Sequence, residues 1–505
     1  MVEFSDQVAG QLVGMLLVDQ GAAVLKVEPP RGDPARVLPA FSVWNRGKES
    51  IVLNMATVAA RDAVREIIRQ SDVVIENLSP GAASRLEISY DAAQRVKSDV
   101  VYCSLPAFGR HHPRRDDAAD ELVIHALVGF LTNVAHSDSI PETSERPFPT
   151  DLPVASTLAA VTAAGAIAAA LFARSQTGVG QHIEVPLHAA AFRALGVRAA
   201  SVEGHPRQPR YVLPLVHRYR CADGRYIQPH GTFAHFGRIL MDVAGHSEWA
   251  EDAGSDLIEG TSRERMEAWR RRLETVFLQR PSWEWEQEIN AAGGAAGVCR
   301  STDEWVHSVH ALASELMVQV HDRNRGAMLQ PGVSVKLSRT PGKVARGAPS
   351  VGEHSRGTLT FESDQPMRGT QESATTSTLG MLSGIKVLDL SIILAGPTCG
   401  RILAEFGAEV IKIDDPNRLR PDPYLSVDVN CGKRSILIDL KTATGREVFW
   451  RMARVADVVV ENYREGALDE IGLGYEQVAE HNPGVVYASL STFGSGGPWS
   501  RWHGW

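Results

Sequence analysis

Short runs of Val, Ile and Leu alternate along this chain with longer segments whose apolar residues return every three or four positions. The run from Ala23 to Glu28 reads as a buried strand, stopped by Pro29 and Pro30. Before it, residues 8–21 read as a loop and a helix. Leu12, Met15, Leu16 and Leu17 fall near helical spacing there, and Gly21 can end the helix. Ile51 to Leu53, Val73 to Ile75 and Val100 to Tyr102 read as further strands. Helices over about Thr57–Gln70 and about Tyr90–Val96 separate them. Strands alternating with helices predict a parallel α/β sheet.

The same pattern opens twice. Ala9, Gly10, Gly14, Gly21, Ala22 and Lys26 recur as Ala395, Gly396, Gly400, Gly407, Ala408 and Lys412. Further on, residues 72–109 recur as 457–494 at a constant offset, 457 − 72 = 494 − 109 = 385. Roughly 15 of those 38 positions are identical, too many for two unrelated α/β segments. The shared residues include Glu76 and Asn77 (Glu461 and Asn462), Tyr90, Tyr102, Phe108 and Gly109.

Composition adds mainly exclusions. At 505 residues there is room for roughly two to four domains. The 44% hydrophobic and 22% charged content is that of an ordinary soluble protein. A net charge of -8 gives no reason to expect a nucleic-acid partner. Residues 1–6 lack the basic and apolar regions of a signal peptide. The alanine-rich run from Leu158 to Phe172 is short for a membrane span and reads as a buried helix. Five scattered cysteines with no C-x-x-C pair fit a reduced, cytoplasmic protein without a zinc site.

Glu76 and Asn77 stand at the carboxyl end of an expected strand, the edge at which open parallel sheets bind ligands. Asn77 also reads as a turn former ahead of Pro80 and Gly81. Around these residues run A-G-x-x-x-G, V-L-K-V-E-P-P-R-G-D-P, N-R-G-K-x-S-I-V-L, D-V-V-I-E-N and T-G-V-G-Q, with the stretch Tyr219–Tyr226 and Gly352–Ser355 later. In this order they resemble the family III CoA transferases, the CaiB/BaiF family, over nearly the whole chain.

That resemblance implies a Rossmann-like parallel-sheet large domain (residues 1–200), a smaller α/β domain (201–320) and a segment returning to the large domain (321–356). A linker (357–380) and a partial second copy of the large domain (381–505) follow. It implies acyl-CoA and a carboxylic acid as substrates, no permanently bound cofactor, and a homodimer whose chains interlock. Neither a nucleic acid nor a membrane is an expected partner. Asn77 matches an asparagine lining the CoA site, Arg85 an arginine near the nucleotide, and Glu121 an acidic residue beside the reaction centre. Pro29 and Ala118 stand where some members place an arginine and a lysine. Lys26 and Lys48 could compensate for those cations, and each also reads as an ordinary surface lysine. The second copy keeps Lys412 and Asn462, has Glu470 in place of Arg85, and carries the fuller family start, including the first strand.

In the family an aspartate forms a mixed anhydride with the acyl group and then an enzyme-CoA thioester, which an acceptor carboxylate resolves. That aspartate lies about twenty residues before T-G-x-G-Q, and here the position holds Ser156. A serine needs a base to act as a nucleophile. Ser156 also reads as the N-cap of a helix starting near Thr157. Asp151 is the nearest carboxylate, five residues away. The related racemases use a histidine, expected near Asp120, and an aspartate at the position of Ser156, so racemisation is disfavoured. The corresponding position in the second copy, 156 + 385 = 541, lies beyond Trp505, and an incomplete chain is expected. Trp499, Trp502 and Trp505 would then form an apolar edge prone to association. The reading is a CoA transferase-like protein; the alternative is a catalytically inactive CoA-binding or assembly subunit of a two-copy transferase or CoA-dependent lyase.

Overall fold

A computed structural model describes residues 1–131, 150–199, 203, 213–231, 233–252, 262–355, 380–417 and 423–504. The proposed linker lies outside them except for Gly380, as do the basic residues Arg207 and Arg210 and the terminal Trp505.

The first large domain is built on six parallel strands: β1 (Val2–Ser5), β2 (Leu25–Glu28), β3 (Glu49–Val52), β4 (Val73–Asn77), β5 (Val101–Ser104) and β6 (His182–Glu184). Their order is β3-β2-β1-β4-β5-β6, the doubly wound arrangement. Strands covered on both faces read as continuous apolar runs, as Val73-Val74-Ile75 does. Helix Val58–Gln70 presents Ala60, Val64, Ile67 and Ile68 to the core at helical spacing, and the Thr57 hydroxyl caps it through Ala60 N–H at 3.2 Å.

β1 corrects an expectation. A first strand was expected only in the second copy, yet Val2–Ser5 is central, paired with both β2 and β4. Its polar residues Glu3 and Ser5 disguised it; both are buried, held by neighbouring lysine and serine groups.

The alanine-rich run becomes helix Val154–Thr177, long and apolar enough by length and composition to cross a membrane. Ala155, Ala159, Ala160, Ala163, Ile167 and Ala170 lie in the core with Ala9 and Val13 of helix Val8–Asp19. T-G-V-G-Q ends it for two physical reasons. Gly178 has φ +72°, the left-handed C-terminal turn that glycine adopts without a Cβ penalty. A Cβ on Gly180 would strike the backbone of Asp99 and Val100.

The small domain packs a three-stranded antiparallel sheet, β7 (Tyr219–Arg220), β8 (Tyr226–Pro229) and β9 (Ala296–Val298), on helices Arg263–Phe277 and Ser282–Ala291. Tyr219, Trp269, Phe277 and Trp285 fill its core. A hairpin, β10 (Met317–Asp322) and β11 (Gly326–Pro331), precedes the returning segment. That segment binds the large domain: Lys343 N–H donates to Asp19 O, and His354 N–H to Ser50 O.

The second copy is a five-stranded parallel sheet of β12 (Lys386–Asp389), β13 (Glu409–Asp414), β14 (Arg434–Leu437), β15 (Val458–Glu461) and β16 (Val486–Ser489). Its order, β14-β13-β12-β15-β16, repeats the first sheet up to β5.

Candidate functional site

The strand order of the first sheet reverses between β1 and β4, and a crevice at such a switch point is where open α/β sheets take ligands. Asn77 ends β4 there. It is 1% exposed; its Oδ1 accepts Gly10 N–H at 3.0 Å and its Nδ2 donates to Leu105 O at 2.5 Å. A Cβ on Gly10 would lie 2.7 Å from the Cβ atoms of both Asn77 and Ser5, so only glycine lets the helix start this close to the strands. In the second copy the matching Asn462 bonds different partners: its Oδ1 accepts Ile392 N–H at 2.6 Å and its Nδ2 donates to Ile392 O at 2.8 Å, both in the turn before helix Ala395–Glu405. Asn77 is thus more than a turn former, tying the helix entrance to the strand end.

Lys26 and Lys48 are not surface lysines; both are fully buried. Lys26 Nζ lies 3.1 Å from Glu3 and 2.8 Å from Asp33, and Lys48 Nζ lies 2.7 Å from Glu3. Lys48 also donates to Gln11 O and Asn45 Oδ1 at 2.8 and 2.9 Å. Burial, with Lys26 as a like-charged neighbour, pushes Lys48 down to about 8, against the pull of Glu3. Burial also opposes the charge on Lys26, but Glu3 and Asp33 outweigh it and hold that ammonium above its ordinary value. Likewise Glu3 is lowered, the two lysines overcoming its burial. In the second copy Lys433 pairs with buried Asp389 at 2.6 Å, and Lys412 lies 2.9 Å from Asp414. Arg85 stays exposed, donating to Pro80 O at 3.3 Å, while Glu470 pairs with Arg464 at 2.8 Å.

Ser156 is buried inside the first turn of helix Val154–Thr177 and is not its N-cap. The capping group comes from helix Glu121–Leu127, 35 residues upstream. Glu121 accepts Ala155 N–H at 2.5 Å, Ser156 N–H at 3.1 Å and the Ser156 hydroxyl at 2.6 Å. A carboxylate at a helix N-terminus satisfies amides that lack intrahelical partners and meets the positive end of the helix dipole. Asp151, in the approach to the helix, is exposed.

One residue near this centre escaped sequence reasoning. His125, one turn along from Glu121, is fully buried. Its Nε2 lies 3.0 Å from Glu121 Oε1, out of line for a hydrogen bond, and its ring is 5.0 Å from that of Phe130. The i,i+4 spacing of Glu121 and His125 was the available signal. His182 and His188 go elsewhere. His182 Nε2 is 2.8 Å from Ser104 Oγ, and His188 packs beside His112 and Phe108.

Trp499 and Trp502 are not a free apolar edge. Trp499 stacks on Trp502 at 4.9 Å and on small-domain His310 at 5.0 Å, with Trp305 at 5.7 Å. The signal lay in the repeat: at the 385 offset, Arg114 and Asp117 of the first copy become Trp499 and Trp502. In the first copy Arg114 instead lies over its own Phe108 at 4.8 Å and pairs with Asp117.

Comparison with known proteins places this geometry. The chain is 29% identical to the CoA-transferase/lyase DddD of Marinomonas sp. (strain MWYL1), a match covering 98% of this chain and 65% of that protein. The chain thus spans just under two thirds of that relative's length. It is 28% identical to the formyl-CoA:oxalate CoA-transferase of Streptomyces avermitilis, over 68% of this chain and 90% of the relative. A crystal structure of a CAIB/BAIF family protein from Brucella suis shares the fold, with a TM-score of 0.59, 24% identity, and coverage of 70% of this chain and 95% of that one. The sequence model of CoA-transferase family III matches residues 1–355 and again 382–505. The chain belongs to CoA-transferase family III, with both copies inside the match.

Proposed function

We propose that this chain serves a protein that moves CoA between an acyl-CoA and a carboxylic acid, and that its first copy supports this chemistry without supplying the acyl-carrying nucleophile. The observation that carries the reading is the Ser156 hydroxyl, buried and donated to Glu121 where the family resemblance places the nucleophilic aspartate. That carboxylate also accepts the Ala155 and Ser156 backbone amides, so it is engaged as the cap of the helix as well as by the hydroxyl. Asn77 and Asn462 stand at the carboxyl ends of β4 and β15, at the two switch points where the CoA site is proposed. Arg85, after β4, is an exposed cation proposed to meet CoA phosphates. The scattered cysteines support a cytoplasmic setting, and the family resemblance supports a dimer.

The full chain incubated with an acyl-CoA and a carboxylate acceptor tests the reading. Transfer of CoA to the acceptor that survives Ser156→Ala supports it. Exchange abolished by Asp151→Asn would instead assign the nucleophile to Asp151. CoA binding without exchange would favour an inactive CoA-binding subunit. The likeness to DddD along 98% of this chain favours one further reading, a CoA-dependent lyase, which release of an unsaturated or eliminated product would reveal.

A further inference from the structure

The second copy's last loop and the first copy's small domain meet across an aromatic cleft that none of the residues considered so far for CoA enters. Its volume is about 260 Å³, and its walls include Glu286, Arg300, Trp305, Phe493, Trp499 and Trp502. The loop that supplies the last three follows β16, so the cleft lies beyond the carboxyl end of that strand.

The walls are fixed before any ligand arrives. His310, fully buried, lies with Nε2 2.8 Å from Phe493 O, and its Nδ1 accepts Trp499 N–H at 3.2 Å. The same ring stacks on Trp499. The two contacts require the neutral imidazole with its proton on Nε2. Arg300, the one cation among the lining residues, gives both terminal nitrogens to Glu286 at 2.6 and 2.5 Å. Its guanidinium also lies 4.8 Å from the Trp499 ring.

Two magnitudes select the occupant. Pockets that enclose whole drug-sized ligands run to about 300–1,000 Å³, so this cleft suits the acyl end of a thioester and excludes the nucleotide. A free carboxylate brought against these walls would find the lining cation, Arg300, already paired with Glu286, an unfavourable setting for a second anion. We infer that this cleft, shared by the two copies, is an acyl pocket that takes an apolar monocarboxylic acyl group in preference to a dicarboxylic one. The inference rests on the CoA-transfer reading above.

Calorimetry on the full chain with hexanoyl-CoA, succinyl-CoA and free CoA tests it. The expected result is binding of hexanoyl-CoA about tenfold or more tighter than succinyl-CoA. Trp305→Ala should narrow that gap to about threefold or less, and Trp305→Phe should keep it. Glu286→Gln, which frees the Arg300 charge, should shift preference toward succinyl-CoA, and an unchanged circular-dichroism spectrum checks that each variant is folded. Equal affinity for the two thioesters in the unmodified chain, or a gap that neither Trp305→Ala nor Glu286→Gln moves, overturns the pocket while leaving the CoA reading intact. Failure of all three CoA compounds to bind overturns the CoA reading and the pocket with it.

Discussion

Glu121 holds the hydroxyl proton of Ser156 across 2.6 Å, and the same carboxylate closes the amino end of the 24-residue alanine-rich helix. One interaction therefore explains two facts. The helix needs no capping residue of its own, and a serine at the expected nucleophile position has a structural partner. Ser156→Ala should cost about 1 kcal/mol, the net worth of one hydrogen bond. Glu121→Ala should cost about 2 kcal/mol, because it also leaves helix amides without partners. Ser156→Asp should destabilise more than Ser156→Ala, since it sets two carboxylates side by side. Urea unfolding midpoints of the three variants check this order.

The buried Lys48 makes stability depend on pH in the alkaline range. Its folded value of about 8 lies below the ordinary 10.5, so the unfolded chain holds the proton more tightly. Its contribution to stability should therefore grow as pH rises from about 8 toward 10.5 and be lost as pH falls through 8. Urea midpoints at pH 7.5 and 9.5, compared between the native chain and Lys48→Met, isolate that contribution. A rise with pH in the native chain that is absent from the variant is the expected outcome.

Glu3 stands between two buried ammonium groups, and its loss should be severe. Glu3→Gln leaves Lys26 and Lys48 with one carboxylate partner fewer, and about 3 kcal/mol of stability should go with it. Thermal melting of the variant measures this. A second substitution, Lys48→Met, placed in the same chain should recover part of the loss by removing the uncompensated charge.

Asn77 and Asn462 each brace the entrance to a helix, through different backbone partners. Asn77→Ala leaves Gly10 N–H and Leu105 O without partners, and Asn462→Ala does so for both backbone groups of Ile392. Each should cost about 2–3 kcal/mol, and each should speed hydrogen exchange at its own helix entrance and not at the other's. Exchange measured residue by residue, by mass spectrometry of fragments, separates the two sites.

The repeat, the alternation of strands and helices, and the order of motifs were legible in the sequence because they are local or recur at a fixed offset. Boundaries such as Tyr90–Val96 came directly from periodicity. What stayed hidden depends on long-range pairing of polar groups. β1 carries Glu3, which looks out of place in a central strand until Lys26 and Lys48 are placed beside it. Ser156 looks like a helix cap until Glu121, 35 residues away, is found at its hydroxyl. Trp499 looks unpartnered because His310 lies 189 residues upstream of it. Spacing along a chain carries no trace of such pairs.

The account stands most directly on the chemistry of Ser156. The full chain, incubated with acyl-CoA, quenched and digested, can be searched by mass spectrometry for an acyl or CoA adduct on the peptide containing this residue. The account predicts an unmodified Ser156 and CoA exchange, where present, that is unchanged by Ser156→Ala. An acyl or CoA adduct on Ser156, together with loss of exchange in Ser156→Ala, would contradict it.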